Sequence, residues 1–81
     1  MTATGNEALR RVRQRLGMSQ TQLAKAAGMA QSAVSAYECG RVPSWPILVK
    51  LMSALEATPD ELGYVVETKP MKVIRLRDNG A

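Results

Sequence analysis

Histidine is missing from the 81-residue chain, and cysteine occurs once, as Cys39. With no imidazole and a single thiol, neither a His/Cys zinc site nor a histidine general base can be assembled. One cysteine cannot build an internal disulfide framework, which excludes a secreted, disulfide-stapled mini-protein. No apolar run approaches the roughly 18 residues that a membrane span requires. Met1 to Glu7 lacks the apolar core of a signal peptide. The chain also has no internal repeat, no low-complexity tract and no glycine-rich phosphate loop. These absences argue against an enzyme, a metal or other cofactor, and a membrane partner. They point to a cytoplasmic protein in which Cys39 is an inert residue at a helix end.

What is present is ordinary globular composition, 46% hydrophobic and 22% charged, which is not the signature of disorder. A chain this short buries only about 60–65% of the surface its unfolded form exposes. Its core must therefore be built efficiently or be helped by a partner. Lys and Arg number 11 against 7 Asp and Glu, a net charge of +4. That balance suits nucleic acid or an anionic surface, and the placement of the charge matters more than its sum.

Glycine and proline divide the chain into short pieces at Gly17, Gly28, Gly40 with Pro43, Pro59, Gly63 and Pro70. Helix-start patterns sit beside them: T-x-x-E from Thr4 to Glu7, S-x-x-Q from Ser19 to Gln22, and T-x-x-E from Thr58 to Glu61. Ser44 is placed to cap a further helix. Five short helices are expected at 6–16, 20–27, 31–39, 45–55 and 59–63. Leu9, Val12 and Leu16 mark the inward face of the first, Leu23, Ala24 and Ala27 that of the second, and Leu48, Leu51, Met52 and Leu55 that of the fourth. The expected fold class is all-α, a compact five-helix domain over residues 1–66 with a basic tail over 67–81. In the tail, Met71 to Arg77 alternates apolar with basic residues. Two readings stay open there: a strand at 72–77 with Asp78, Asn79 and Gly80 fraying after it, or a solvated basic tail.

The informative stretch runs from Ser19 to Gly40, two short helices joined by Gly28-Met29-Ala30. That is a helix-turn-helix pattern. Counting about 100° per residue from Gln31, Ser35 falls at about 40°, Ser32 at about 100° and Ala36 at about 140°. Ala33, Val34, Tyr37 and Glu38 occupy the opposite arc. One face is apolar and packs inward. The other is polar, short and uncharged, on a helix thin enough to enter a major groove. Gln pairs in bidentate fashion with adenine and Ser meets several base edges, so Gln31, Ser32 and Ser35 are the candidate base contacts. The competing reading is a solvent face that happens to be rich in serine.

No cation lies on that face, so affinity must come from phosphate contacts elsewhere. Candidates are Arg10 and Arg11 on the first helix, Ser19 and Gln20 at the start of the second, and Arg41 and Ser44 after the third. Arg13 lies at the edge of the buried stripe of the first helix, and Glu38 at the equivalent edge of the third. An unpaired buried guanidinium is costly, so the two are expected to pair and tie these helices together.

Over about residues 7–63 the chain resembles the phage repressor and Cro type of helix-turn-helix, the XRE family. The resemblance rests on Arg13, the S-Q-x-x-L-A run at Ser19, Gln20, Leu23 and Ala24, then Gly28, Val34, Ser35, Tyr37-Glu38, Gly40, Pro43, Leu51, Leu55 and P-D-E-L at 59–62. It implies a five-helix domain whose recognition helix starts at Gln31, a phosphate held by Ser19 and Gln20, and an ion pair of Arg13 with Glu38. It also implies a bacterial or phage-encoded regulator that binds two-fold symmetric double-stranded DNA as a homodimer. Two departures stand inside the match. Ala30 occupies a cap position where the family usually has Ser or Thr, and Ala36 replaces a longer polar residue.

The function expected is a sequence-specific transcriptional regulator, most simply an autorepressor. Alternatives are an antitoxin that also binds a toxin protein, a restriction–modification controller, and a protein-interaction module that has lost DNA binding. The dimer surface is either the fourth and fifth helices, with Trp45, Ile47 and Leu62, or the tail paired with its copy as an antiparallel ribbon.

Overall fold

A computed structural model describes residues 5–68 and 70–77. Among them four helices precede a two-stranded antiparallel sheet. The order is α1 (Glu7–Arg15), α2 (Gln20–Ala27), α3 (Gln31–Glu38), α4 (Trp45–Leu55), β1 (Tyr64–Glu67) and β2 (Val73–Leu76).

Helix α1 starts from Asn6, whose side-chain oxygen accepts from the Leu9 N–H at 3.0 Å. The expected Thr4 cap lies outside the described residues. The Asn6 amide nitrogen also donates to the Leu62 carbonyl at 2.8 Å, tying the start of the chain to the start of the sheet. Leu16 departs from its expected burial and is 51% exposed. It lies one residue past the helix, and Gly17, at φ +71°, turns the chain away from the core.

Helix α2 carries the full Ser19–Gln22 capping box, with bonds of 3.0 and 2.8 Å. It ends on Gly28 in the left-handed region, where a side chain would be strained. Its small buried residues Ala24 and Ala27 let α3 and α4 pack closely on it. Helix α3 follows Ala30 with no side-chain cap. Helix α4 follows Ser44, whose hydroxyl makes no cap bond either, and buries Leu48, Leu51 and Leu55.

The expected fifth helix at 59–63 is a single turn, and the helix count is corrected to four among the described residues. Its local signals are satisfied. Glu61 N–H donates to Thr58 Oγ1 at 3.2 Å, and Thr58 N–H to the Glu61 carboxylate at 2.9 Å. The Thr58 backbone bond, with its hydroxyl second, holds the Glu61 carboxyl below the usual carboxylate range. Helix formation needs propagation beyond such a nucleus. Gly63, at φ +84°, breaks it and sends the chain into β1.

Strand β1 pairs with β2 in the register Tyr64–Leu76, Val65–Arg75, Val66–Ile74 and Glu67–Val73. The tail is thus a strand over Val73–Leu76 rather than a solvated extension, and the expected boundary between residues 66 and 67 falls inside β1. Arg77 N–H donates to the Gly63 carbonyl at 2.8 Å. That bond makes Val65–Arg75 and Glu67–Val73 the hydrogen-bonded pairs, so Ile74 and Leu76 turn their backbone groups away from β1. Tyr64, Val66, Ile74 and Leu76 share the face packed on the helices. Tyr64 is fully buried, and its hydroxyl, beside Asn6, has no hydrogen-bond partner. Burial pushes that phenol up to about 12.

Candidate nucleic-acid interface

Helix α3 is divided by burial. Val34, Tyr37 and Glu38 are buried, Ala33, Ser35 and Ala36 are half-buried, and Gln31 and Ser32 are exposed. The outward face carries the candidate base contacts Gln31 and Ser32 in its first turn and the half-buried Ser35 one turn further on. The first turns of α2, α3 and α4 contain no acidic residue to repel an approaching phosphate.

Behind that face sits a polar cluster centred on Glu38, 2% exposed. Arg13 meets its carboxylate as a fork: Nε donates to Oε2, and Nη2 to Oε1 at 3.2 Å. The third arm, Nη1, donates to the Met18 carbonyl at 2.7 Å, at the entrance to α2. Arg10, with its side chain 47% exposed, brings Nε to 3.8 Å from Oε1. Gln20 Nε2 donates to the same oxygen at 3.0 Å.

The last bond orients the surface. A carboxylate only accepts, so Gln20 must present its nitrogen to Glu38 and its carbonyl oxygen outward. Gln31 Nε2 donates to that oxygen at 2.6 Å. Gln31 therefore keeps its own Oε1 and one N–H, the donor–acceptor pair that matches adenine N6 and N7. A buried ion pair is thus linked, through one glutamine, to the first residue of the outward face.

The structure brings Arg10, Arg13, Gln20, Gln31 and Glu38 into this cluster. It leaves Ser32, Ser35, Arg41 and Ser44 outside it. Arg41 and Ser44 are exposed in the segment between α3 and α4. Ser19 is exposed at the cap of α2, where its oxygen accepts from Gln22 N–H and its hydroxyl hydrogen is not used in that bond. Arg11, 74% exposed, stands 3.8 Å from Glu7. The sequence reading missed the role of Gln20 as the hub. Its signal was available, since a cap at Ser19 places Gln20 on the first turn of α2. The double role of Asn6 had no such signal.

Among the described residues, no group of His, Cys, Asp or Glu could hold a metal ion, and no helix is long and apolar enough to cross a membrane. A family model described as a helix-turn-helix domain matches residues 7–63. The chain belongs to that family, in its XRE form. This helix-turn-helix protein is a DNA-binding transcriptional regulator. It is similar to a solved structure, the restriction–modification controller protein C.AhdI from Aeromonas hydrophila, at 36% sequence identity and a TM-score of 0.67. The match covers 74% of this chain and 92% of that one. No curated protein matches the chain. The family match stops at residue 63, so the β-hairpin of this helix-turn-helix protein lies beyond it.

Proposed function

We propose that the protein is a homodimeric repressor, most simply of its own gene, that reads a palindromic operator with α3 in the major groove. Gln31, Ser32 and Ser35 contact bases. Ser19, Gln20, Arg10, Arg41 and Ser44 contact phosphates on either side. Arg13 and Glu38 stay behind the interface and hold Gln20 in place. Such a regulator works in the cytoplasm, on DNA, and carries out no covalent chemistry. The observation that carries this reading is the Glu38–Gln20–Gln31 chain of hydrogen bonds, which presents the Gln31 amide in one orientation before DNA arrives. Preorganisation of that kind suits bidentate base readout.

The homodimer is supported by the two-fold logic of the motif and by the outer edge of β2, where Ile74 and Leu76 turn their backbone groups away from β1. Leu62 is removed from the expected dimer contacts, because it is fully buried in its own core. A second reading, a restriction–modification controller, is favoured by the likeness to C.AhdI. It keeps the same DNA contacts and adds activation at one of its sites.

Selection of binding sites from a random duplex pool tests the reading. The expected result is a palindrome with half-sites about 10 base pairs apart. Gln31→Ala should then relax one base position in each half-site, at a cost of about 1–3 kcal/mol in discrimination. Recovery of no motif, or a Gln31→Ala protein with unchanged preference, would overturn it. A reporter fused to the recovered operator separates repression from activation.

A further inference from the structure

The hairpin beyond the family match carries cations in two different situations. Arg75 pairs with Glu67 at 3.3 Å, and Arg77 with Asp60 at 3.3 Å. Lys72 is exposed and takes part in none of the ion pairs among the described residues. Its ammonium lies instead 4.1 Å from the centroid of the Trp45 ring. Trp45 is the first residue of α4, directly after Ser44 and four positions after Arg41. From Cys39 to Leu55 the sequence contains no Asp or Glu. The hairpin thus delivers a positive charge, unpaired among the described residues, to the end of α4 that follows the recognition helix.

We infer that Lys72 is a DNA phosphate contact, contributed by the β-hairpin beside the contacts proposed for Arg41 and Ser44. This rests on the DNA-binding orientation proposed above. The Trp45 ring engages the ammonium from one side through its π-face, which sets the lysine chain across the start of α4. An ammonium has three donors, and the side away from the ring remains open to a phosphate oxygen. The hairpin then serves two purposes: it covers the core, and it widens the DNA footprint past the residues that define the family.

The competing role for Lys72 is a clamp that only fastens the hairpin to α4. The salt dependence of binding separates the two. Affinity of the full chain for its selected duplex is measured across a salt series for the wild type, Lys72→Met, Lys72→Gln and Lys72→Arg, with thermal midpoints recorded in parallel. Each lost phosphate contact lowers the slope of log K against log salt by about 0.9, and a dimer loses two, for a total of about 1.8. The wild-type advantage over Lys72→Met and Lys72→Gln should therefore shrink by about 12-fold between 50 and 200 mM salt. Lys72→Arg should retain the wild-type slope. Replacing single phosphates by uncharged methylphosphonates should reveal one position in each half-site that weakens the wild type and leaves Lys72→Gln indifferent. Unchanged slopes in Lys72→Met and Lys72→Gln, with lowered midpoints, overturn the inference in favour of the clamp while leaving the proposed function standing. A wild type that binds no duplex overturns both.

Discussion

Glu38→Ala strands a guanidinium. Arg13 is 9% exposed, and two of its three arms end on the Glu38 carboxylate. Removing one partner of a buried pair costs about 3–5 kcal/mol, because the other charge is left without compensation. The lower end applies here, since Arg13 Nη1 keeps the Met18 carbonyl and the half-exposed Arg10 marks a route for water. A loss of about 3 kcal/mol is a large part of the roughly 4–12 kcal/mol expected for a domain of this size, and it corresponds to a fall in melting midpoint of about 12–24 °C. Urea unfolding followed by far-ultraviolet circular dichroism measures the loss, with an unchanged m-value as the check that the denatured state is the same. The double variant Arg13→Met/Glu38→Leu removes both charges together and should lose far less than the two single changes summed. Gln20 also loses its anchor in Glu38→Ala, so folded protein should show relaxed base preference at the Gln31 position. A stability loss under about 1 kcal/mol, or a double variant that loses the full sum, would refute the reasoning.

Ala30 sits at the cap of α3 with an extended backbone, ready for a side chain that can accept. Ala30→Ser should stabilise by about 1 kcal/mol, seen as a rise of about 4–8 °C in melting midpoint; no rise would mean that the open N–H groups are already satisfied by water. Tyr64 is a phenol whose folded pKa, about 12, lies above its ordinary value of 10. The fold favours the neutral form, so its contribution is fully present below pH 10 and is lost as pH rises toward 12. Tyr64→Phe should remove that alkaline loss and be neutral or stabilising near pH 7, since it deletes a buried hydroxyl without a partner; a large loss at pH 7 would show that the hydroxyl is bonded. Gly63→Ala combines φ +84° with a Cβ that would lie 2.6 Å from Asn6 Oδ1. It should cost about 1–3 kcal/mol and loosen both the α1 cap and the hairpin, an outcome that amide hydrogen exchange at Leu9 and Arg77 would detect.

The parts of the fold that rest on local chemistry were readable in the order of residues alone. Ser19 with Gln22 starts α2, Gly28 ends it, and Leu48, Leu51 and Leu55 repeat at helical spacing on α4. The polar face of α3 comes from periodicity, and the edge positions of Arg13 and Glu38 bring them together once α1 and α3 pack. The same local reasoning overreached at residues 58–63. A capping box says where a helix begins, but the helix's length depends on the residues after the box. Here those are Gly63, which breaks the turn, and the β-branched pair Val65 and Val66.

What required the tertiary structure is whatever joins residues far apart in the chain. The tail alternates apolar and basic residues, but alternation does not name a partner strand. Register is decided by which apolar set can reach the core, and that set is Ile74 and Leu76 opposite Val66 and Tyr64. Asn6 reaches Leu62 across 56 residues, and Lys72 finds Trp45 only after the hairpin has folded back on α4. The amino-acid sequence alone determined the helix-turn-helix and the chemistry of its outward face, because caps, turns and periodicity act within four residues. Packing alone decided which donors point at Glu38, how Gln31 is held and where the hairpin cation lands, because these depend on distances that no local rule contains.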